Sequence, residues 1–245
     1  MASAVVHYAA SALTDRGRKR ASNEDAFGLS VEHGVYIVCD GMGGAAAGEV
    51  ASTLAVGEMM QWLTQRPRTS PPPIEAAEAV NAANEAIYSR SQRNPSLNGM
   101  GTTLVALLVE DRRAWMVNVG DSRGYRLRNS NLEQITLDHS LVEEQIRLGQ
   151  MSQEEALRSP LKNVITRALG TQSAVTPDIF ELETEPGDLF LLCSDGLVRE
   201  LSDSVVESLL RLDLTLEEMC SRLVEAANEA GGHDNITCLL VRAEA

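Results

Sequence analysis

Apolar residues fall along this chain in two rhythms, short uninterrupted blocks and longer stripes at helical spacing. Four blocks, at 35–39, 115–119, 189–193 and 236–241, are bounded by Gly, Asn, Asp or Ser. Runs of this length between turn residues read as buried strands. A stripe over 47–65 puts Ala51, Ala55, Met59 and Trp62 on one helical face. A Pro-rich break at 66–73 follows, then a second helix with Ile74, Ala77, Val80, Ile87 and Tyr88 at helical spacing. After a loop at 94–101, the pattern predicts strands at 102–110, 114–119, 123–128 and 132–136, expected as a compact antiparallel meander with Asn129-Ser130-Asn131 as a turn. Residues 138–169 are polar, helix-prone and broken by Gly149 and Pro160, which suits an insertion over the surface better than a core layer. Strands return at 175–183 and 189–193, with Pro186-Gly187-Asp188 as the turn between them. Helices near 202–210 and at 216–230 and the strand at 236–241 complete the chain. Strand runs with helix pairs between them predict an α+β domain of packed sheets covered by helices.

The polar residues beside the four blocks carry the chemical signal. Asp40 follows the first block and precedes Gly41, Asp121 follows Gly120, Asp195 lies between Ser194 and Gly196, and Asp234 lies in Gly231-Gly232-His233-Asp234-Asn235 just ahead of the last block. An aspartate at a strand end projects from a rigid support, and an adjacent glycine lets the backbone pass close to whatever the carboxylate holds. Each has an ordinary alternative: a tight or hairpin turn, a helix N-cap at Asp195, an Asx turn at Asp234-Asn235. Four together point to carboxylates gathered in one place, which repel unless a cation sits among them. Oxygen ligands without a Cys/His cluster suit Mg²⁺ or Mn²⁺ rather than zinc. Upstream, Arg20-Ala21-Ser22-Asn23-Glu24-Asp25 is either a solvated turn or an arginine fork for a phosphoryl group beside two acids that face metal.

Composition narrows the partners. The 245 residues carry a formal charge of −14, which disfavours nucleic acid. Aromatic residues make up only 4% of the chain, so Ala, Val and Leu must fill most of the core. Cys39, Cys193 and Cys238 lie in strand-like blocks and Cys220 on a helix-like face, as expected of buried thiols in a reducing cytosol. Residues 1–12 lack the features of a signal peptide, and the longest apolar stretch, 104–109, is too short to span a bilayer. A cytoplasmic chain without a membrane partner is expected. Neither a Walker loop nor a Gly-x-Ser-x-Gly elbow is present, and no cysteine has a basic cluster nearby, so phosphate-loop and covalent serine or cysteine chemistry are poorly supported.

With these residues in order, the chain resembles the metal-dependent Ser/Thr protein phosphatases of type 2C in their small bacterial form. The resemblance runs from about Ser11 to Val241 and rests on Arg20-x-x-x-Glu24-Asp25, Asp40-Gly41-Met42-Gly43-Gly44, Gly101-Thr102-Thr103, Gly120-Asp121-Ser122-Arg123, Asp138-His139-Ser140, Ser194-Asp195-Gly196-Leu197 and Gly232-x-Asp234-Asn235. It implies a four-layer α-β-β-α sandwich, two central antiparallel sheets flanked by helices, in one catalytic domain over 1–245 with a helical flap at about 138–174. It implies two Mg²⁺ or Mn²⁺ ions, with Asp40 bridging them, the Gly41 carbonyl helping to bind one, and Asp195 and Asp234 completing the other's shell. Glu24 and Asp25 would act through bound waters, Asp121 with Asp195 would hold a weaker third ion, and Arg20 would bind phosphate. The implied activity is hydrolysis of phosphoserine and phosphothreonine in proteins by metal-activated water, in a monomer partnered with a Ser/Thr kinase and its substrates. A catalytically silent binding module and a hydrolase of small phosphate esters are the rivals. Relatives carry a general-acid histidine at the position of Met42 or just after the Gly pair, where this chain has Ala45; neither histidine is present here.

Overall fold

The computed structural model of the chain describes residues 6–67 and 69–245. Residues 1–5, the start of the amino-terminal stretch that lacks signal-peptide features, and Arg68 of the Pro-rich break lie outside the described residues. The strands are β1 (His7–Asp15), β2 (Asp25–Ser30), β3 (Val35–Met42), β4 (Gly101–Thr102), β5 (Leu104–Glu110), β6 (Arg113–Val119), β7 (Arg123–Arg128), β8 (Asn131–Gln134), β9 (Asp178–Glu183), β10 (Leu189–Cys193) and β11 (Ile236–Glu244). The helices are α1 (Ala45–Gln65), α2 (Pro72–Arg93), α3 (Leu141–Arg147), α4 (Gln153–Arg158), α5 (Asp195–Val198), α6 (Asp203–Leu210) and α7 (Leu216–Ala230).

Two antiparallel sheets form the centre. One has the order β1-β11-β10-β7-β8, the other β2-β3-β5-β6-β9, with β4 paired to the end of β3. Side chains on successive strand residues point to opposite faces, and the sequence uses both faces. In β3, Tyr36 and Val38 join Phe190, Leu192 and Leu239 in the layer between the sheets, whereas Val35, Ile37 and Cys39 turn toward α1 and α2. In β10, Leu191 and Cys193 face the opposite way, toward Leu223, Val224 and Ala227 of α7. Both central strands are therefore continuous apolar runs rather than alternating ones. The expected α-β-β-α sandwich is present, and small residues fill the helix side of one sheet: Ala51, Ala55, Ala76, Ala79 and Ala83 are fully buried.

Three local expectations need correction. The meander is split, because β5 and β6 belong to one sheet and β7 and β8 to the other. The chain changes sheet at Gly120-Asp121-Ser122, where Gly120 has φ 108°, a conformation that disfavours a side chain. Helix α2 begins inside the Pro-rich break, at Pro72, because a proline in the first turn lacks only an N–H that would have no helical partner anyway. Its buried stripe is Ala76, Ala79, Val80, Ala83 and Ile87, and Ile74 is exposed. Two strands, β1 and β2, were not predicted; both are half-buried and paired along their length. Residues 138–174 carry the short helices α3 and α4. Among the described residues no helix is long and apolar enough to cross a membrane.

Candidate metal centre

Strand register brings the acids to one end of the sandwich. Asp25 lies directly opposite Asp40 in the β2–β3 pair. Cys193, two residues before Asp195, lies opposite Cys238, four residues after Asp234. Asp121 sits on the crossing from β6 to β7, and β7 pairs with β10. Two sheets thus contribute to one cluster. Its glycines are dictated by close approach: a Cβ on Gly41 would collide with the Gly48 carbonyl oxygen, and one on Gly48 with the Glu24 carboxylate.

Hydroxyls and amides fix the carboxylates. One Asp25 oxygen accepts hydrogen bonds from Thr237 Oγ1 at 2.6 Å and Ser194 Oγ at 2.8 Å. The backbone at Asp40 is anchored to Thr103 Oγ1, 3.0 Å away, which contacts Ser122 Oγ at 2.7 Å. The Asn235 amide ties down the loop carrying Arg20: its nitrogen donates to the carbonyls of Arg16 and Ser22, both at 2.9 Å, and its oxygen accepts from the Glu24 N–H at 2.8 Å.

Burial and mutual repulsion distort the titration of these groups. Burial, followed by the charges of Asp25, Asp195, Asp121 and Asp234, holds the Asp40 carboxyl well above the usual range. Burial pushes Asp195 up to about 8, with Asp121 adding to the rise and Arg199 opposing it. Asp25 is raised to about 6 by burial against the opposing bonds from Thr237 and Ser194. Burial also raises Asp121, opposed by Arg199, and Glu24, opposed by Arg20.

Two arginines enter the cluster. Arg20, on the rim, donates to Asp234 Oδ2 at 2.7 Å. Arg199 contacts the Asp195 carboxylate, lies 3.3 Å from Asp121 Oδ2, and lies 3.8 Å from Asp234 Oδ2. Among the described residues no three Asp, Glu, His or Cys side chains are gathered closely enough to hold an ion as they stand. The donor set nevertheless fits a hard divalent cation, because Asp25 Oδ1, Asp121 Oδ1 and Asp195 Oδ1 are buried without a hydrogen-bond partner. A buried carboxylate oxygen left unpaired is costly, and oxygen-only donors are what Mg²⁺ and Mn²⁺ take.

The structure therefore brings together all eight residues singled out in the sequence: Arg20, Glu24, Asp25, Asp40, Gly41, Asp121, Asp195 and Asp234. Arg20 is paired with Asp234 rather than free. The acids alone did not point to Ser194 and Asn235, which lie inside the quoted motifs, to Thr237, two residues beyond Asn235, or to Arg199, whose four-residue spacing from Asp195 on a helix was the available sign. A cleft of about 610 Å³ leads from Asp121, Asp195 and Arg199 along Asp138, Val142 and Lys162 of the inserted segment.

Comparison with known proteins agrees with this geometry. The chain is 42% identical over 234 residues to the serine/threonine phosphatase stp of Listeria monocytogenes serotype 4b (strain F2365), covering 93% of each chain. It is 38% identical over 236 residues to protein phosphatase PhpP of Streptococcus pneumoniae, covering 94% of this chain and 96% of that one. The crystal structure of the Mycobacterium tuberculosis serine/threonine phosphatase PstP/Ppp superposes with a TM-score of 0.90 at 38% identity, covering 99% of this chain and 100% of that chain. The catalytic domain of PstP in complex with two manganese ions superposes with a TM-score of 0.89 at 37% identity, covering 98% and 100%. Residues 14–240 match the family described as Protein phosphatase 2C, and the chain belongs to that family.

Proposed function

We infer that this chain is a metal-dependent protein serine/threonine phosphatase. The observation that carries the reading is the set of unpartnered buried oxygens on Asp25, Asp121 and Asp195, around an Asp40 whose carboxyl is crowded by four others. Asp40, Asp195 and Asp234, with the Gly41 carbonyl, would hold two Mn²⁺ or Mg²⁺ ions, and Glu24 and Asp25 would act on them through water. Bound, such ions supply Lewis acidity, bringing the pKa of coordinated water near neutrality.

The protein's own groups do the rest. Thr237 and Ser194 hold Asp25 in one orientation, and Asn235 fixes the loop that places Arg20 at the rim. Arg20 is about half exposed, so its guanidinium can leave Asp234 and fork onto the oxygens of a phosphoryl group. The cleft beside α3 and α4 is open to a peptide flanking the phosphorylated residue. The reading extends to a single catalytic unit, acting as a cytoplasmic monomer opposite a Ser/Thr kinase. Four buried free cysteines support a reducing compartment for it.

The test is hydrolysis of a phosphothreonine peptide with Mn²⁺ and with a chelator, beside free phosphorylated metabolites. Peptide turnover that needs Mn²⁺ is expected. No turnover of any ester would leave the silent binding module, and turnover of metabolites alone would leave the small-ester hydrolase.

A further inference from the structure

The acidic cluster is unequally provided with positive charge. Among the described residues no ion pair reaches Asp25 or Asp40, whereas the single side chain of Arg199 reaches Asp121, Asp195 and Asp234, the last shared with Arg20. Its position follows from the sequence. Asp195 opens α5 and Arg199 caps its carboxyl end four residues later, so the two side chains share a face. The guanidinium also lines the cleft under the inserted segment and is about one-third exposed. A guanidinium stays charged at every physiological pH. On Asp121 and Asp195 it takes one oxygen each, and the second oxygen of each is buried without a partner. The Asp121–Asp195 pair thus keeps two buried oxygens that a cation could take, while an arginine stands on the other two.

We propose that Arg199 is a built-in cation that occupies the Asp121–Asp195 pair and competes there with a divalent ion, so that the intact chain holds two ions and loss of Arg199 admits one more. The proposal rests on the two-ion reading above and departs from the third ion that family resemblance would place on the same pair. Electrostatics sets the direction. Removing a unit positive charge within a few ångströms of two carboxylates strengthens their attraction for another cation, by at least about tenfold in affinity even at the high effective dielectric of a protein surface.

The test is calorimetric titration of Mn²⁺ into the chelator-stripped full chain, alongside thermal melting, for the wild type, Arg199→Ala, Arg199→Gln and Arg199→Lys. Two ions are expected for the wild type. A third ion, or a weakest site at least about tenfold tighter, is expected for the Ala and Gln variants, with Lys close to wild type. Metal-free Ala and Gln variants should melt below the wild type and recover with Mn²⁺, because the added ion replaces the lost charge. Equal stoichiometry and affinity in all four proteins would overturn the proposal and leave the phosphatase reading standing, as would a melting deficit that persists with saturating Mn²⁺. A wild type that binds no Mn²⁺ would overturn both. If Arg199→Ala does not fold, the contrast between Gln and Lys decides.

Discussion

Strand β10 has an aspartate just beyond each end, and the two are treated in opposite ways. Asp188, at its start, is almost completely buried and fully answered: Arg128 donates to both of its oxygens at 2.6 Å, and the Glu185 N–H adds a bond of 2.8 Å. Asp195, at the far end, is buried to a similar degree, yet one oxygen has no partner and its carboxyl is pushed up to about 8. The bonds at Asp188 are those of a carboxylate that holds a corner together. Those at Asp195 are incomplete, and an unpaired buried oxygen beside the other acids of the cluster is what a bound cation would satisfy. Burial alone distinguishes nothing here; the count of satisfied oxygens does.

Exchanging each aspartate for its amide tests that contrast most strongly. Asp195→Asn should lower Mn²⁺-dependent hydrolysis of a phosphothreonine peptide by at least about a thousandfold, while the metal-free melting temperature holds or rises because a neutral amide replaces a carboxyl that burial and Asp121 already disfavour as an anion. Asp188→Asn should do the reverse, costing about 3 kcal/mol of stability by leaving Arg128 poorly paired, with activity per folded molecule retained. Chemical denaturation of both variants checks the pair of outcomes. A stability loss in Asp195→Asn as large as that in Asp188→Asn would erase the difference between the two ends.

A smaller effect is expected at the rim. Arg20→Ala should raise the KM for the phosphopeptide by about tenfold, with Mn²⁺ stoichiometry unchanged. Unaltered kinetics would reassign the phosphate contact.

The smallest effect is on pH dependence. Asp195 at about 8 and Asp25 at about 6 keep protons in the folded metal-free chain that the unfolded chain has already lost. The folded state binds more protons, so stability from these groups is full below about pH 4 and is lost as pH rises toward about 8. Metal binding needs the ionised carboxylates. The gap in melting temperature between Mn²⁺-loaded and chelated protein should therefore widen from about pH 5.5 to about pH 8. A constant gap would mean that Arg199 and Arg20 already keep the cluster ionised.

Legibility in the sequence followed the strength of the local signal. Blocks such as 189–193 announced themselves because both faces of the strand are buried, and β10 has those bounds. The aspartates beside them were legible for the same reason, since a rigid run fixes where its end points. β1 and β2 gave no such block: His7–Asp15 and Asp25–Ser30 are mostly half-exposed, and Ala, Ser and Gly take many of their positions. The error at 102–136 has another source. Alternation tells which face a residue occupies but not which sheet its strand joins, so the switch at Gly120-Asp121-Ser122 passed as a hairpin turn. Arg199 lay beyond a search for acids, because its meaning depends on reaching Asp121 from a different strand crossing.

The bonds from Ser194 and Thr237 to Asp25 join the sheets, since Asp25 belongs to β2 and its two donors flank β10 and open β11. Between them the two slabs meet through Tyr36, Val38, Phe190, Leu192 and Leu239, whose apolar attraction has no direction, and at the opposite end Tyr8 bonds to Asp111 and Arg128 to the Glu183 carbonyl. At the metal end those two hydroxyls fix the alignment of one slab on the other, and a slip of a single residue, roughly 3.3 Å, would pull them away from Asp25. Replacing Thr237 would blunt the enzyme without deleting any group that meets the substrate, by letting the halves of the catalytic pocket drift out of line.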